Sequence, residues 1–462
     1  MKKIVVIPVC PISSYLKNGL TYDFFENYYN PGDFFDEVYC ICPDEKNIKR
    51  GKINYMNVDP QNFEKVISDI KPDLIRAYGG FGCSDWAAAN LIKDIPLVIS
   101  VHDTNPNLIN QSLKFADYII CMTNEVKKSV QKQIDIPKDR IFILPNRVDI
   151  AKFYRRSDKK MFTKLDLEYG KGKHIIHVGR KVEQKNLDTL IRALTYLPEM
   201  YTAIFIGSGN TQPYKNIAKK YNVEERCFFV DHIINSELPM YYSWADCLCT
   251  PSRWEGFGII FIEAAACECP IVASNIAPIN EYLSHGVNSW LVDDYENAEI
   301  LSKAIVDACS KNEKALSITR NARKTAMKFN KTFVDNMEQE LYKKFITTGT
   351  DNDKLNKLIL EIEKLQKKII VWGAGTIGRR LALSIGHNRV AFFVDSDKRK
   401  IGTIIDGIKV ISYADLLKIY KNYNIVVSPL NRAEITSQLI QEKIKYMEAG
   451  WFTILNQKYA NK

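Results

Sequence analysis

Short β-rich runs alternate with stretches of helical spacing along the whole chain, and this alternation restarts twice. The first series begins at KIVVIPV, the second at HIIHVGR and the third at KIIVWGAGTIGRR. Strands that alternate with helices form a parallel sheet with helices on both faces. The pattern therefore predicts an α/β protein with three parallel-sheet domains. Parallel sheets bind ligands beyond the carboxyl ends of their strands, so we expect functional residues in the loops that follow strands.

The domain boundaries are placed in the polar segments between the three series. The first domain is predicted over 1–148 and the second over 149–348, whose last helix is expected to cross back to the first domain. Residues 349–368 are predicted as a helical linker with one apolar face. That face either packs between domains or forms a short dimerising coil. The third domain is predicted over 369–462.

The composition argues against export and against membrane insertion. Among the 462 residues no apolar run approaches the ~18 residues that span a bilayer. Pro8 and Pro11 break the apolar start of the chain, which predicts a first strand rather than a signal peptide. The 11 cysteines are an odd number without CxxC spacing, so reduced thiols in a cytoplasmic protein are expected.

Positive charge is concentrated in the last part of the chain. Residues 351–462 carry 19 Lys and Arg against 11 Asp and Glu, and they hold most of the net charge of +10. Aromatic residues are not interleaved with these cations, so nucleic acid is not expected as a partner. The excess is either solvated surface or a peripheral contact with the anionic inner face of a membrane.

The segment 247–274 combines a strand end, a glycine-rich loop and two carboxylates. A strand is predicted to end near Thr250, and Glu255 lies in the following loop with Gly256 and Gly258. Glu263 lies eight residues after Glu255, on the next helix. Glycines let a backbone approach a ligand, and ionised carboxylates accept strong hydrogen bonds from sugar hydroxyls. The alternative is two unconnected surface and helix-face glutamates.

The segment 177–193 places two cations after another strand. Arg180 and Lys185 lie between the strand end near Gly179 and a helix that begins near Asn186. A planar guanidinium and a point-charge ammonium beside a helix N-terminus suit a diphosphate. The alternative is two solvated loop cations.

Together these two loops resemble those of the family 4 retaining glycosyltransferases, which have the GT-B fold. Glu255 and Glu263 match that family's Glu-x7-Glu motif. Arg180 and Lys185 match its strand-end arginine and downstream lysine. The resemblance implies two facing Rossmann-like domains, with the donor bound by the second.

Two shorter segments extend the resemblance over about 1–345. PNRVD at 145–149 is similar to the family's PNGVD, with Arg147 where glycine is usual. VISVHD at 98–103 is similar to the acceptor-domain strand that ends in an active-site histidine, here His102. The first domain is therefore expected to contribute the acceptor side of a cleft.

The resemblance also implies residue roles. Arg180 and Lys185 would bind the donor diphosphate, and Glu263 the ribose hydroxyls. Glu255 would contact the transferred sugar, and His102 would lie between acceptor, sugar and phosphate. The implied catalytic set is Glu255, His102, Arg180 and Lys185. The implied donor-binding set is Gly19, Arg180, Lys185, Glu255, Phe257, Gly258, Ile259 and Glu263.

The implied activity is retaining transfer of a sugar to a hydroxyl of a glycan or a lipid-linked saccharide, as in surface polysaccharide biosynthesis. The donor is a nucleotide-diphosphate sugar whose base, uridine or guanosine, is left open. No Asp-x-Asp motif stands in a suitable place, so no metal or other cofactor is expected for transfer.

The third domain carries a dinucleotide-type fingerprint. Gly373, Gly375 and Gly378 follow a strand and open a helix, and Asp395 ends the next strand. The segment also resembles the Rossmann-like N-terminal domain of PglD-type sugar O-acyltransferases, which implies a nucleotide or nucleotide-sugar ligand. Three alternatives stay open: a docking domain with an empty site, an NAD-dependent oxidoreductase or epimerase acting through this domain, and a non-catalytic nucleotide-sugar-binding scaffold.

Overall fold

Three hydrogen-bonded sheets with helices around them make up the part of the chain that the structure describes. The computed structural model describes residues 1–17, 20–351, 353–364 and 367–459. The α/β architecture predicted from the strand–helix alternation is confirmed.

The first sheet has eight strands, and all of its neighbouring pairs are parallel except the edge pair β3 and β4. Its strands are β1 (Lys3–Ile7), β2 (Glu37–Cys42), β3 (Ile48–Arg50), β4 (Ile53–Asn57), β5 (Leu74–Tyr78), β6 (Leu97–Val101), β7 (Tyr118–Cys121) and β8 (Ile141–Ile143). The helices of this part are α1 (Ile12–Leu16), α2 (Tyr22–Tyr29), α3 (Phe63–Ile70), α4 (Cys83–Ala89) and α5 (Asn124–Gln133). The strand order is β3-β4-β2-β1-β5-β6-β7-β8.

The second sheet has six parallel strands in the order β11-β10-β9-β12-β13-β14. They are β9 (Lys173–Val178), β10 (Tyr201–Ile206), β11 (Cys227–Val230), β12 (Cys247–Thr250), β13 (Ile271–Ser274) and β14 (Trp290–Val292). The helices are α6 (Lys159–Tyr169), α7 (Leu187–Ala193), α8 (Gln212–Lys220), α9 (Leu238–Trp244), α10 (Ile259–Ala266), α11 (Ala298–Ala308), α12 (Glu313–Met327) and α13 (Lys331–Thr348).

The third sheet has six strands in the order β17-β18-β16-β15-β19-β20, with an antiparallel hairpin at one edge. They are β15 (Ile369–Trp372), β16 (Val390–Val394), β17 (Ile404–Ile405), β18 (Ile408–Ile411), β19 (Asn424–Val427) and β20 (Tyr446–Glu448). The helices are α14 (Asp353–Lys364), α15 (Thr376–Ile385), α16 (Tyr413–Ile419), α17 (Ala433–Gln441) and α18 (Ala449–Tyr459).

The long helix α13 leaves the second sheet and packs on the first. Its Tyr342 contacts the rings of Phe34 and Phe35, and its Phe345 stacks on Tyr118 with 4.2 Å between ring centroids. These rings are mostly removed from water, and burying them stabilises the contact between the first two domains.

The third domain shares a hydrophobic core with the first. Trp451 and Phe452 of α18 are fully buried, and the Trp451 ring lies 5.6 Å from that of Phe115 in the first domain. Leu358 of α14 is buried in the same cluster. The linker helix therefore contacts this shared core through Leu358, whereas the neighbouring Ile359 is 52% exposed.

Candidate functional site

Lys185 and Glu255 meet where the loops after two neighbouring strands converge. β9 pairs directly with β12, so the loops that follow their carboxyl ends lie side by side. Lys185 Nζ lies 2.5 Å from Glu255 Oε1, and the Ser252 hydroxyl donates to the same oxygen at 2.8 Å. Glu255 is only 4% exposed. The structure thus brings a predicted anion-binding cation into contact with a predicted sugar-binding carboxylate.

Asn186 holds these two loops in register. Its backbone is left-handed, with φ of 53°, a conformation that asparagine tolerates better than most residues. Its buried Nδ2 donates to the Pro251 carbonyl at 3.0 Å and to the Tyr295 carbonyl at 3.2 Å. One side chain therefore joins the loop after β9 to the loop after β12.

Arg180 differs from Lys185 in its exposure to solvent. Its side chain is exposed at the end of β9, and among the described residues it has no ion pair or side-chain hydrogen bond. Arg253, by contrast, is fixed by Asp188 and Glu296 at 3.1 Å and 2.7 Å. Arg180 is thus an exposed guanidinium in the same loop as Lys185.

The Glu255 loop touches the first domain at His102. A Cβ built on Gly256 would lie 1.9 Å from the His102 carbonyl oxygen, so only glycine allows this approach. The Thr123 hydroxyl of the first domain donates to the Gly256 carbonyl at 3.3 Å. The predicted acceptor-side histidine and the predicted sugar-binding loop therefore adjoin, although they are far apart in sequence.

A carboxylate of the second domain caps a helix of the first beside this contact. Glu281 accepts the backbone N–H groups of Asn124 and Glu125, in the first turn of α5, at 2.9 Å and 2.8 Å. A carboxylate is favoured at a helix N-terminus by the unpaired N–H groups and the helix dipole. This cap holds the two domains together at the rim of the cleft.

The His102 ring has an enclosed nitrogen without a partner. Within the described residues its Nε2 is shielded from solvent and makes no hydrogen bond. Burial and, to a smaller degree, the charge of Arg76 lower the pKa of His102 to about 4. The imidazole is therefore neutral at pH 7, and a neutral imidazole can accept a hydrogen bond from a hydroxyl.

Glu263 lies on the buried face of α10. It is 7% exposed, and its Oε2 accepts a hydrogen bond from the Tyr242 hydroxyl at 3.1 Å. Burial raises the pKa of Glu263 to about 7, and the Tyr242 hydrogen bond only partly opposes that rise. Its protein contact is thus to α9 rather than to the Lys185–Glu255 pair.

The residues after Gly256 form the start of α10. Gly258 precedes this helix with φ of 82°, and a Cβ there would lie 2.6 Å from the Phe261 ring. Phe257 is buried and stacks on Tyr282, whose hydroxyl donates to the Phe257 carbonyl at 2.5 Å. Ile259 is partly exposed at the first turn of α10. Gly19, the remaining predicted donor contact, lies outside the described residues.

His177 was given no role from the sequence, although it stands two residues before Gly179 at the end of β9. Its Nδ1 lies 3.2 Å from the Cys249 carbonyl, and its buried Nε2 has no partner in the described part of the chain. Burial and the charge of Lys185 lower the pKa of His177 to about 3. The sequence signal for His177 is its position as a polar residue at the end of a predicted strand, in the same segment as Arg180 and Lys185.

Arg147 replaces the glycine usual in the interdomain segment, and the structure gives it a role. It forms ion pairs with Asp335 and Glu338 of α13. Arg76 of β5 also pairs with Glu338. Burial alone would raise the pKa of Glu338, but the charges of Arg147 and Arg76 outweigh it and lower the pKa to about 2. The arginine therefore anchors the crossing helix.

In the third domain, residues of the glycine turn and Asp395 make close contacts within the domain itself. A Cβ on Gly378 would lie 1.9 Å from the Gly373 carbonyl oxygen, whereas one on Gly375 would meet no atom within 4 Å. Asp395 accepts from the Ala374 N–H at 3.0 Å and from Lys400 Nζ at 2.9 Å. The carboxylate that a dinucleotide would use for its ribose is thus already engaged, and a nucleotide at this turn stays a prediction.

Two family models match the first two domains. Residues 17–152 match the model described as Glycosyltransferase Family 4, and residues 137–325 match Glycosyl transferases group 1. The Anabaena protein Alr3699/HepE, solved in complex with UDP and glucose, superposes with a TM-score of 0.62 at 19% identity, over 75% of this chain and 100% of that one. The first two domains have the GT-B fold. WaaG, a glycosyltransferase involved in lipopolysaccharide biosynthesis, has the same GT-B arrangement, with a TM-score of 0.57 at 13% identity over 73% and 99% of the two chains.

Curated relatives match parts of the chain. The uncharacterized glycosyltransferase MJ1607 of Methanocaldococcus jannaschii is 27% identical, covering 46% of this chain and 62% of its own length. MJ1178 of the same organism is 24% identical over 67% and 84%. The O-antigen chain mannosyltransferase RfbU of Salmonella typhimurium is 25% identical over 46% and 62%. The chain therefore spans under two thirds of the length of MJ1607 and RfbU.

The third domain matches a model other than the one expected. Residues 365–448 match the family described as C2185-like, N-terminal, which differs from the PglD-type domain, so that finer resemblance is not shown. No helix of the described residues is long and apolar enough to cross a bilayer. In the same residues, no group of three or more His, Cys, Asp or Glu side chains is arranged to hold a metal ion.

Proposed function

We propose that this protein is a retaining glycosyltransferase that moves a sugar from a nucleotide-diphosphate sugar to a hydroxyl of a glycan or lipid-linked saccharide. The observation that carries the proposal is the contact of Lys185 with Glu255, whose neighbour Gly256 lies against the His102 carbonyl of the facing domain. The exposed Arg180 lies in the same loop as Lys185. The two glycosyltransferase family models support the same activity.

Arg180 and Lys185 are proposed to hold the donor diphosphate. As the glycosidic bond breaks, negative charge grows on the leaving phosphate, and two fixed cations stabilise it. Glu255, buried against Lys185, is placed to accept hydrogen bonds from hydroxyls of the transferred sugar. A uridine nucleotide is the favoured donor base because the structural neighbour was solved with UDP and glucose. The cations supply the charge that a metal would otherwise bring, so transfer is proposed to need none.

His102 is proposed to face the acceptor hydroxyl. Nε2 is enclosed in this structure, so the contact is proposed to form when the residues around the ring part. The neutral ring then accepts that hydroxyl's hydrogen bond through Nε2 and orients the oxygen toward the sugar. Retention of the anomeric configuration rests on the family resemblance, and an NMR assignment of the product anomer tests it. The O-antigen and lipopolysaccharide roles of RfbU and WaaG favour a surface polysaccharide acceptor.

Turnover by the full-length chain tests the proposal. UDP-linked and GDP-linked sugars are incubated with alkyl glycosides, and release of nucleoside diphosphate is measured. We expect release with one donor class, unchanged by EDTA, and a fall of roughly 100-fold in Arg180→Ala. Arg399→Ala is the matched control, because Arg399 is exposed and pairs with Asp397 in the third domain. Equal turnover by both variants, a strict metal requirement, or NAD reduction in place of transfer contradicts the proposal.

A peripheral contact with an anionic membrane is proposed as well. A cleft of about 1190 Å³ opens between the first domain, α14 and the third domain, and seven Lys and Arg against three Asp and Glu line it. Three of the cations pair with Glu361 or Asp351. Among the described residues, four have no ion pair: Lys367, Lys421, Lys443 and Lys445. Four free ammonium groups suit phosphate headgroups at a surface.

Vesicle sedimentation tests the membrane contact. We expect binding to phosphatidylglycerol vesicles that weakens at high salt, and none to phosphatidylcholine. Changing the four free lysines to glutamine should abolish it. The control changes four exposed lysines of the second domain instead, namely Lys159, Lys160, Lys164 and Lys171. Equal loss in both variants, or binding that salt does not weaken, contradicts the contact.

A further inference from the structure

The third domain makes several hydrogen bonds to the loop that follows His102. This loop runs over 102–110, from the histidine that touches Gly256 to the start of the next turn. The backbone N–H of Arg432, in the loop after β19, donates to Asn107 Oδ1 at 2.7 Å. The Arg432 guanidinium donates to Asn110 Oδ1 at 2.5 Å, and Asn107 Nδ2 donates to Asn431 at 3.1 Å. Two asparagines of the first domain are thus held by one short loop of the third.

The far end of the same loop is anchored from both domains. Asn110 Nδ2 donates to Asp85 Oδ2 at 2.9 Å, and the Asn110 N–H donates to the Gly80 carbonyl at 2.7 Å. The next residue, Gln111, donates its N–H to the Glu448 carboxylate at 3.1 Å. The loop contains no regular strand or α-helix, so these contacts set its position.

These hydrogen bonds hold the loop in a fixed position because the third domain packs tightly on the first. Trp451, Phe452 and Leu455 of α18 are fully buried in the core shared with the first domain. Side chains packed at interior density transmit a displacement rather than absorb it. The Arg432 loop is therefore fixed relative to β6, whose end carries His102.

We propose that Arg432 is a positioning residue for sugar transfer. It holds the Asn107–Asn110 segment so that His102 faces the Glu255 loop, and the third domain thereby forms part of the acceptor side of the cleft. This inference rests on the proposed glycosyltransferase function, and it assigns the third domain a part in that function without a ligand of its own. Arg432 acts through Asn107 and Asn110 and does not touch the reacting groups.

Hydrogen exchange and kinetics on the full-length chain test this role. In Arg432→Ala we expect amide exchange in peptides covering 103–112 to quicken by about tenfold or more, while peptides of α18 keep their protection. The apparent KM for the best alkyl glycoside should rise by about tenfold, with the Kd for UDP and the rate of donor hydrolysis unchanged. Arg432→Lys should recover part of the lost protection and of the lost acceptor affinity, since it keeps a cationic donor for Asn110, whereas Arg432→Ala keeps only the backbone bond to Asn107.

Asn107→Ala and Arg399→Ala separate positioning from a general loss of structure. Asn107→Ala removes the acceptor of the Arg432 backbone N–H, a bond that Arg432→Ala leaves in place, so it should by itself quicken exchange over 103–112. Arg399→Ala should behave as the unaltered chain. Unchanged exchange over 103–112 in Arg432→Ala overturns the inference. Faster exchange throughout α18, or a matching rise in the Kd for UDP, also overturns it. If the unaltered chain transfers no sugar, the proposed function fails, while the exchange data still decide whether Arg432 holds the loop.

Discussion

Glu255 and Lys185 form a candidate site because the fold brings these two loop residues into contact. A buried glutamate needs a partner, because an unpaired charge away from water costs several kcal/mol. Lys185 and the Ser252 hydroxyl supply that partnership at 2.5 Å and 2.8 Å. The same contact fixes the ammonium in the loop that also carries the exposed Arg180. The pair therefore serves stability and the proposed chemistry together.

Removing Lys185 should expose this double role. We expect Lys185→Met to lower the free energy of unfolding by about 3 kcal/mol, because Glu255 is left buried without its counter-ion. Urea titrations followed by circular dichroism measure this. The double variant with Glu255→Gln should recover much of the stability but none of the nucleotide release. A full return of turnover in the double variant would argue that the pair is structural only.

Gly256 decides how closely the two GT-B domains approach. We expect Gly256→Ala to slow transfer by about 100-fold, because the added methyl would lie 1.9 Å from the His102 carbonyl oxygen and separate the facing groups. Thermal unfolding should change little, since the domains can part slightly. Gly375→Ala is the control, because a Cβ there meets no atom within 4 Å. Turnover that falls equally in both variants would contradict the reasoning.

At the scale of elements, the crossing helix α13 joins the domains through a buried network of charges. Glu338 is fully buried and receives Arg147 and Arg76, while Tyr342 donates to it at 2.8 Å. The second Arg147 partner, Asp335, also pairs with Lys331, so three cations and two carboxylates leave the network with one net positive charge. This network couples β5, the interdomain segment and α13.

Breaking that network should cost stability and change its pH dependence. We expect Arg147→Met to lower the free energy of unfolding by about 3 kcal/mol at pH 7. Because the pKa of Glu338 is lowered to about 2, its contribution is present above its unfolded value near 4.5 and is lost as pH falls toward 2. Glu338→Gln should therefore remove part of the acid sensitivity seen between about pH 4.5 and pH 2. Identical acid unfolding curves for the unaltered protein and Glu338→Gln would refute this assignment of the acid sensitivity to Glu338.

At the scale of the whole molecule, the third domain packs on the first of the two GT-B domains. Two buried acids meet at this junction, Glu448 from β20 and Asp85 from α4, with Arg432 beside them. Burial and then the charge of Asp85 raise the pKa of Glu448 to about 7, and Arg432 only partly opposes the rise. Burial likewise raises the pKa of Asp85 to about 6. The junction thus favours protonated acids.

The sign of the resulting pH dependence follows from these raised values. A folded state that binds more protons than the unfolded chain loses stability as pH rises. Relative to Glu448→Gln, the unaltered protein should lose roughly 2 kcal/mol between pH 5 and pH 8. Parallel urea titrations of the two proteins across that range measure the difference. A constant difference would mean that Glu448 keeps one protonation state throughout.

Local pattern alone determined much of this protein. Hydrophobic periodicity acts over a few residues, so the strand–helix alternation predicted three parallel sheets and placed Arg180, Lys185 and Glu255 in loops after strands. The positions of those loops in the fold are largely fixed once the ends of the strands are fixed. The Glu-x7-Glu spacing and its context also predict the type of site, and this stays a prediction. His177 shows the limit, because its unpartnered ring nitrogen depends on neighbours that the motif does not name.

Contacts between distant segments were decided only by tertiary structure. β9 lies beside β12, which is three strands later in the chain, so the Lys185–Glu255 pair depends on strand order rather than on spacing. Arg147 finds its carboxylates 188 and 191 residues away, and Arg432 finds its asparagines more than 300 residues away. Glu263 is buried and accepts a hydrogen bond from Tyr242, and Asp395 accepts one from the Ala374 N–H in the glycine turn. Such contacts arise from packing whole domains against one another, and that packing depends on many weak apolar contacts that no short segment encodes.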